Sequence, residues 1–219
     1  MFNGVSALSQ FNDYRKVYSS LTFNELKKQH EQWYRKYPLQ SRFEKRFFVN
    51  CFKHVVKTLK RNLFVVELGG FEGALALEIL KMYPTMQWLN VEIIKHTMKR
   101  GLEKYRYTEH VLSEQLWREK LDLRKYDVFV SSHTLEHLSN VQVKRLFEYL
   151  ILNNMQYLIL DIPVRPNGQT WYKYSGTHVL MMGSNHLKKL LISSYVLVFE
   201  RSTSPQAYEW YSIWRRRRK

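Results

Sequence analysis

Apolar and polar positions follow two rhythms along this chain of 219 residues. Unbroken apolar runs at Leu63-Phe64-Val65-Val66, Val128-Phe129-Val130 and Tyr157-Leu158-Ile159-Leu160 suit parallel strands covered on both faces. Further strands are expected at Gln87 to Val91, Glu109 to Leu112, Tyr195 to Phe199 and Tyr208 to Trp214. Between these runs the apolar positions recur at helical spacing. Ala74 to Leu80 is apolar around most of its circumference, and a helix rich in Lys and Arg follows through His96 to Tyr105. Another helix buries Leu135, Leu138, Leu146, Phe147 and Leu150 and stops at Asn153-Asn154, and a last one is capped by Ser184 or Asn185. Two amphipathic helices come first. Thr22-Phe23-Asn24-Glu25 has capping-box spacing and opens a helix that ends at Pro38. Ser41-Arg42-Phe43-Glu44 repeats the signal ahead of Phe47, Cys51, Phe52, Val55 and Leu59. Strand and helix alternate, which predicts an α/β fold with a mostly parallel sheet.

The strand at Leu63 leads into Glu67-Leu68-Gly69-Gly70-Phe71-Glu72-Gly73 and then directly into a helix. Glycine serves where the backbone takes positive φ or approaches a ligand closely, and a helix start offers unsatisfied N–H groups. The next strand delivers Glu92 at its carboxyl end, 23 residues after Gly69, where an acid can accept the hydrogen bonds of a ribose diol. The dinucleotide fingerprint G-x-G-x-x-G does not fit, because Leu68 stands at its first glycine, and the Gly-Lys-Ser/Thr ending of a phosphate-binding P-loop is absent.

At these residues the sequence resembles the class I S-adenosylmethionine-dependent methyltransferases, whose first motif has the form E-x-G-x-G-x-G. Glu67, Gly69 and Gly73 match, while Phe71 occupies the middle glycine position and Gly70 a variable one. The resemblance, closest to the sugar and small-molecule type, covers roughly Leu63 to Trp214. It implies a Rossmann-like seven-stranded, mostly parallel sheet with helices on both faces, closed by a hairpin of the last two strands and preceded by an N-terminal helical extension. It further implies S-adenosylmethionine as cofactor, with Glu67, Gly69, Gly70, Phe71 and Gly73 at its turn and Glu92 on its ribose. Ser113 and Glu114, with Asp122 as a rival, would lie by the adenine, and Ser132 and His133 beside the methyl. Helices before the first motif often cover the active site in this family. No Asp/Asn-Pro-Pro-aromatic motif of amino-directed DNA methyltransferases appears, and Cys51 lies outside the catalytic edge, which disfavours cytosine C5 chemistry.

Methyl transfer needs an aligned acceptor and, for a hydroxyl, a proton acceptor, a task that suits histidine. His133 is the first candidate, His137 the second and His178 the third. Asp161, at the end of the fifth strand, and the loop bearing Trp171, Tyr172, Tyr174 and His178 are candidates for the acceptor side. His133-Thr134-Leu135-Glu136-His137 also spells H-x-x-E-H, an inverted zinc-peptidase motif for which Glu209 offers a third ligand. A strand end is the wrong context for it and the glycine turn would be unexplained, so no metal site is assigned. If the turn is helical, His133 and His137 share a face.

The formal charge of +16 is concentrated at the ends. Residues 1–61 carry 13 basic against 4 acidic residues and Arg215 to Lys219 add five more basic ones, whereas 62–214 hold 17 against 15. Three regions result: a basic helical cap or lid over 1–61, the sheet domain over 62–214 and a basic tail over 215–219. The ends suit a polyanion such as RNA or an anionic lipid surface, or are simply solvated. The lone cysteine, the lack of a charged and then apolar leader, and the lack of any membrane-length apolar run lead us to expect a cytoplasmic protein without disulfides. The expected activity is methyl transfer to an oxygen or nitrogen of a small acceptor. An RNA methyltransferase, a non-catalytic S-adenosylmethionine-binding scaffold and, last, an H-x-x-E-H zinc peptidase stand as alternatives.

Overall fold

The structure, a computed structural model, describes residues 25, 28, 32, 38–71, 73–92, 109–112, 116, 121–163, 183–202 and 209–218. Among them seven strands form one sheet: β1 (Phe64–Leu68), β2 (Gln87–Glu92), β3 (Glu109–Leu112), β4 (Val128–Ser132), β5 (Tyr157–Pro163), β6 (Tyr195–Ser202) and β7 (Glu209–Arg216). Their order is β3-β2-β1-β4-β5-β7-β6. β1 pairs in parallel with β2 on one side and β4 on the other, and β2 with β3 and β4 with β5 are also parallel. β7 runs antiparallel between β5 and β6. The chain therefore leaves β1 in opposite directions on its two sides, which opens a crevice at the carboxyl ends of β1 and β4.

Period-two alternation sends each strand's side chains to two separate cores. Val66, Leu68, Leu89, Phe129, Leu158 and Trp214 face α3 (Asn140–Leu152) and α4 (Ser184–Leu191), which add Leu146, Phe147, Leu187 and Leu191. On the other face Val65, Trp88, Val128, Ile159 and Ile213 meet α1 (Pro38–Leu59) and α2 (Ala74–Met82), through Phe47, Phe48, Phe52, Val55, Ala76 and Ile79. Phe52 stacks near Trp88, with ring centroids 5.4 Å apart, and Phe47 meets Tyr211 edge-on at 5.1 Å. α1 descends from the carboxyl edge of the sheet to its amino edge, where Arg61 pairs with buried Asp127. Asp127 also accepts the Phe64 N–H at 3.0 Å and so ties the start of β1 to that of β4.

Several expected boundaries shift. α1 begins at Pro38, which is favoured at a first helical position, so Ser41 lies inside the helix and does not cap it. Ser139 and Gln142 form the capping box of α3, which starts only at Asn140. Gly183 stands at the cap of α4. Arg215 and Arg216, expected in the tail, are the last two residues of β7, and Arg216 lies over the Tyr195 ring. The expected helices over Thr22 to Tyr37 and His96 to Tyr105 lie outside the described residues, apart from single positions in the first.

If α1 is an integral layer of the core, Phe52→Ala destabilises the whole domain by about 3–5 kcal/mol. Urea unfolding followed by far-UV circular dichroism should give one cooperative transition at a lower midpoint. A midpoint within error of the parent's would mean that α1 is only loosely attached.

Candidate functional site

The turn after β1 is shaped by its contacts with β2. Gly69 has φ +76° and donates its N–H to the Val91 carbonyl at 2.8 Å. The Gly70 N–H donates to Asn90 Oδ1 at 3.0 Å and the Phe71 N–H to Glu92 Oε2 at 2.8 Å, while Asn90 Nδ2 donates to the Phe71 carbonyl at 3.1 Å. Phe71 has φ 52°, so it adopts the conformation that glycine would supply at the middle position of the motif. The hydrogen bond donated by Asn90 and the one accepted by Glu92 hold this strained residue in place. Gly73, at φ +87°, then opens α2 without a side-chain cap, so the helix's first N–H groups keep their capacity to receive an anion.

No Cβ fits at the first two glycines. At Gly69 it would stand 2.0 Å from Thr134 Oγ1, and at Gly70 2.6 Å from both Asn90 Oδ1 and Glu67 Oε2. Glu67 is buried beneath the turn and accepts the Trp88 indole N–H at 2.9 Å. Burial pushes its carboxyl up to about 8, against the stabilising indole bond and with help from the nearby charge of Glu92.

A second cluster forms where β4, β5, β7 and α1 meet. Parallel strands bring their last residues to this edge, whereas antiparallel β7 brings its first. The alternation that buries Val128, Ile159 and Ile213 under α1 places Ser132, Asp161 and Glu209 on the same face. Ser132 Oγ lies 2.9 Å from Glu44 Oε1 and 3.1 Å from Asp161 Oδ2. His133, at φ 49°, donates its N–H to the Asp161 carbonyl at 3.0 Å. Its imidazole has three carboxylates close by: Asp161 at 3.4 Å and Glu209 at 3.7 Å from Nε2, and Glu136 at 3.8 Å from Nδ1. The Tyr211 hydroxyl donates to Glu209.

Burial sets the electrostatics of this corner. It raises the carboxyl of Glu44 to about 7, opposed by the Ser132 hydrogen bond and reinforced by Glu209. Glu136 rises to about 8 by burial, and Asp161 lies well above the ordinary carboxylate range through burial and then the charges of Glu44 and Glu209. Desolvation and these acids likewise push the Tyr211 phenol up.

The expected residues thus gather into two adjoining groups. Glu67, Gly69, Gly70, Phe71, Gly73 and Glu92 make the turn, and Ser132, His133, His137 and Asp161 make the corner, with Thr134 against Gly69 between them. The condition for His133 and His137 to share a helical face is not met, because His133 is left-handed and only Leu135–His137 forms a short 3-10 turn. They approach one carboxylate instead, with His137 Nε2 3.7 Å from Glu136. Asp122 pairs with Arg124 at the surface. Ser113, Glu114, Trp171, Tyr172, Tyr174 and His178 lie outside the described residues. Sequence reasoning missed Asn90, whose signal was a polar residue two positions before Glu92 in a buried strand, and Glu44, which it read only as part of a cap.

No protein-family model matches this chain, and no curated protein does. Solved structures do match. Magnesium protoporphyrin IX methyltransferase (ChlM) from Synechocystis PCC 6803 with bound SAH superposes with a TM-score of 0.65 at 14% identity, over 95% of this chain and 100% of that one. The fold is that of the S-adenosylmethionine-dependent methyltransferases. The methyltransferase domain of bacterial CtHen1 aligns at TM-score 0.58 and 15% identity, over 78% of this chain and 96% of that one. The bifunctional kinase-methyltransferase WbdD aligns at 0.57 and 14%, over 79% of this chain and 39% of that one. Within this methyltransferase fold the turn occupies the crevice beside β1, and the corner lies next to it at the same sheet edge.

Two outcomes test this geometry. Gly69→Ala, which combines positive φ with a clash against Thr134, should lower stability by at least about 1–3 kcal/mol in urea unfolding. Glu67 has a folded pKa raised above its unfolded value, so its contribution is fully present below about pH 4.5 and is lost as pH rises through about 8. Stability should therefore fall over that window, by up to about 1.4 kcal/mol per pH unit from this one group. Glu67→Gln, which keeps an acceptor for Trp88, should flatten the slope. An unchanged slope would mean that Glu67 is ionised in the native state.

Proposed function

We propose that the chain binds S-adenosylmethionine at the turn and transfers its methyl group to an oxygen or nitrogen of a small acceptor held at the corner. The observation that carries this reading is the turn itself: a left-handed glycine path clamped by Asn90 and Glu92, opening onto an uncapped helix start. A carboxylate such as that of the cofactor's methionyl end suits those helix N–H groups, and Glu92 suits a ribose diol. The comparison with ChlM supports the same cofactor, since that protein was crystallised with SAM and with SAH.

When bound, S-adenosylmethionine supplies an electrophilic methyl on a sulfonium, which an acceptor lone pair attacks in line as the carbon–sulfur bond breaks. The protein's tasks are alignment and removal of the acceptor's proton. Glu67, Gly69, Gly70, Phe71 and Gly73 shape the turn. His133 is the first choice as proton acceptor, followed by His137 and His178. Asp161 and the loop of Trp171, Tyr172 and Tyr174 would contact the acceptor, and Ser113 and Glu114 the adenine. A small acceptor is favoured over RNA because Arg215 and Arg216, at the end of antiparallel β7, lie at the sheet edge opposite the turn.

Thermal unfolding with S-adenosylhomocysteine tests the reading. At 100 times its dissociation constant the ligand should add about 2.7 kcal/mol of stability and raise the midpoint by several degrees. Glu92→Ala should lose the shift. Glu92→Gln, which keeps an acceptor for the Phe71 N–H, should retain the fold and part of the shift. No shift in the parent at millimolar ligand would overturn the proposal.

A further inference from the structure

We propose that Glu44, His133 and Asp161 form a binding site for a divalent first-row transition-metal ion of the manganese or zinc type. One carboxylate oxygen from each acid and one ring nitrogen of His133 all lie within 4.8 Å of one another. Metal–ligand bonds of about 2.0–2.2 Å place neighbouring donors of one ion about 3 Å apart, so small side-chain movements close the set. Ser132 already bridges the two acids, at 2.9 and 3.1 Å, and His133 Nε2 is 3.4 Å from Asp161 Oδ2. The ligands come from α1, the β4 end and β5, three elements fixed by the core.

An independent observation points to a ligand. Asp161 is 0% exposed and its Oδ1 has no hydrogen-bond partner, and Glu136, 3% exposed and packed against the His133 ring, likewise has an unpartnered Oε2. Among the described residues no lysine or arginine pairs with Glu44, Glu136 or Asp161, although the chain carries 35 such residues. Buried carboxylates are costly unless paired or bound to a metal. A cation at the centre of the set offsets the charge of Glu44 and Asp161. Two carboxylates with one imidazole suit manganese or zinc better than calcium or magnesium, which favour all-oxygen surroundings. With the ion bound, His133 serves as its ligand and His137 takes the place of first proton acceptor.

The site stands independently of the methyl-transfer reading, and the experiment separates the two. The full chain is freed of metal with a chelator, dialysed and titrated with Mn2+, with the free ion followed by electron paramagnetic resonance. Thermal unfolding is then measured with Mn2+, Zn2+ or S-adenosylhomocysteine. The expected result is one Mn2+ per chain, a midpoint raised by either metal, and affinity reduced about 10–100-fold or more in Asp161→Asn and in Glu44→Gln. Should Asp161→Asn fail to fold, Glu44→Gln carries the test. Absence of binding and of any metal-induced shift would overturn the site, as would undiminished binding in the variants. A shift with S-adenosylhomocysteine but none with metal would leave the cofactor reading standing and remove this one.

Discussion

β1 is hydrogen-bonded to β2 along one edge and to β4 along the other, in parallel on both sides. That pairing fixes where the polar groups of the turn and the end of β4 lie. A buried parallel strand presents its last residue at a common edge, and its side chains alternate between two faces. Once Val65 packs toward α1, Glu67 must lie on the same side, and the registers with Trp88 and Val128 carry Asn90, Glu92 and Ser132 there too. Shifting β1 by one residue would move Glu67 into the opposite core and leave the turn without its floor.

The apolar strands and the glycine turn were plain in the sequence because both are local. An apolar run of strand length, or two glycines after an acid, needs no knowledge of the rest of the chain. Glu44 was not legible as part of the site. Its link to Ser132 spans 88 positions, and nothing in the pattern of α1 sets it apart from a helix cap. Glu209 was legible only as a distant third ligand for H-x-x-E-H, because its entry depends on β7 running against its neighbours. The H-x-x-E-H spacing could not place its two histidines for a related reason. Spacing implies a shared face only on a continuous helix, and His133 leaves the strand in a left-handed conformation that no residue count reveals.

The two halves of the site differ in how they tolerate their own strain. The turn holds a non-glycine residue at positive φ and compensates with hydrogen bonds to Asn90 and Glu92. The corner instead gathers carboxyls in a dry place, against a core that includes Phe47, Phe52, Trp88 and Tyr211. Functional sites commonly store strain that surrounding packing overcomes. At the corner the α1 layer supplies that packing, since the helix that contributes Glu44 also buries the aromatic cluster.

β7 follows β6 in the chain yet lies between β5 and β6 in the sheet. A chain emerging from the ribosome therefore cannot settle β6 into its final place beside the first five strands until β7 has emerged and inserted. Before that moment the edge of β5 is unpaired and apolar, and the acid corner lacks Glu209. Such late, non-local pairing slows folding and leaves an open edge exposed to other chains. Assembly of the corner and protection of the β5 edge thus become a single event.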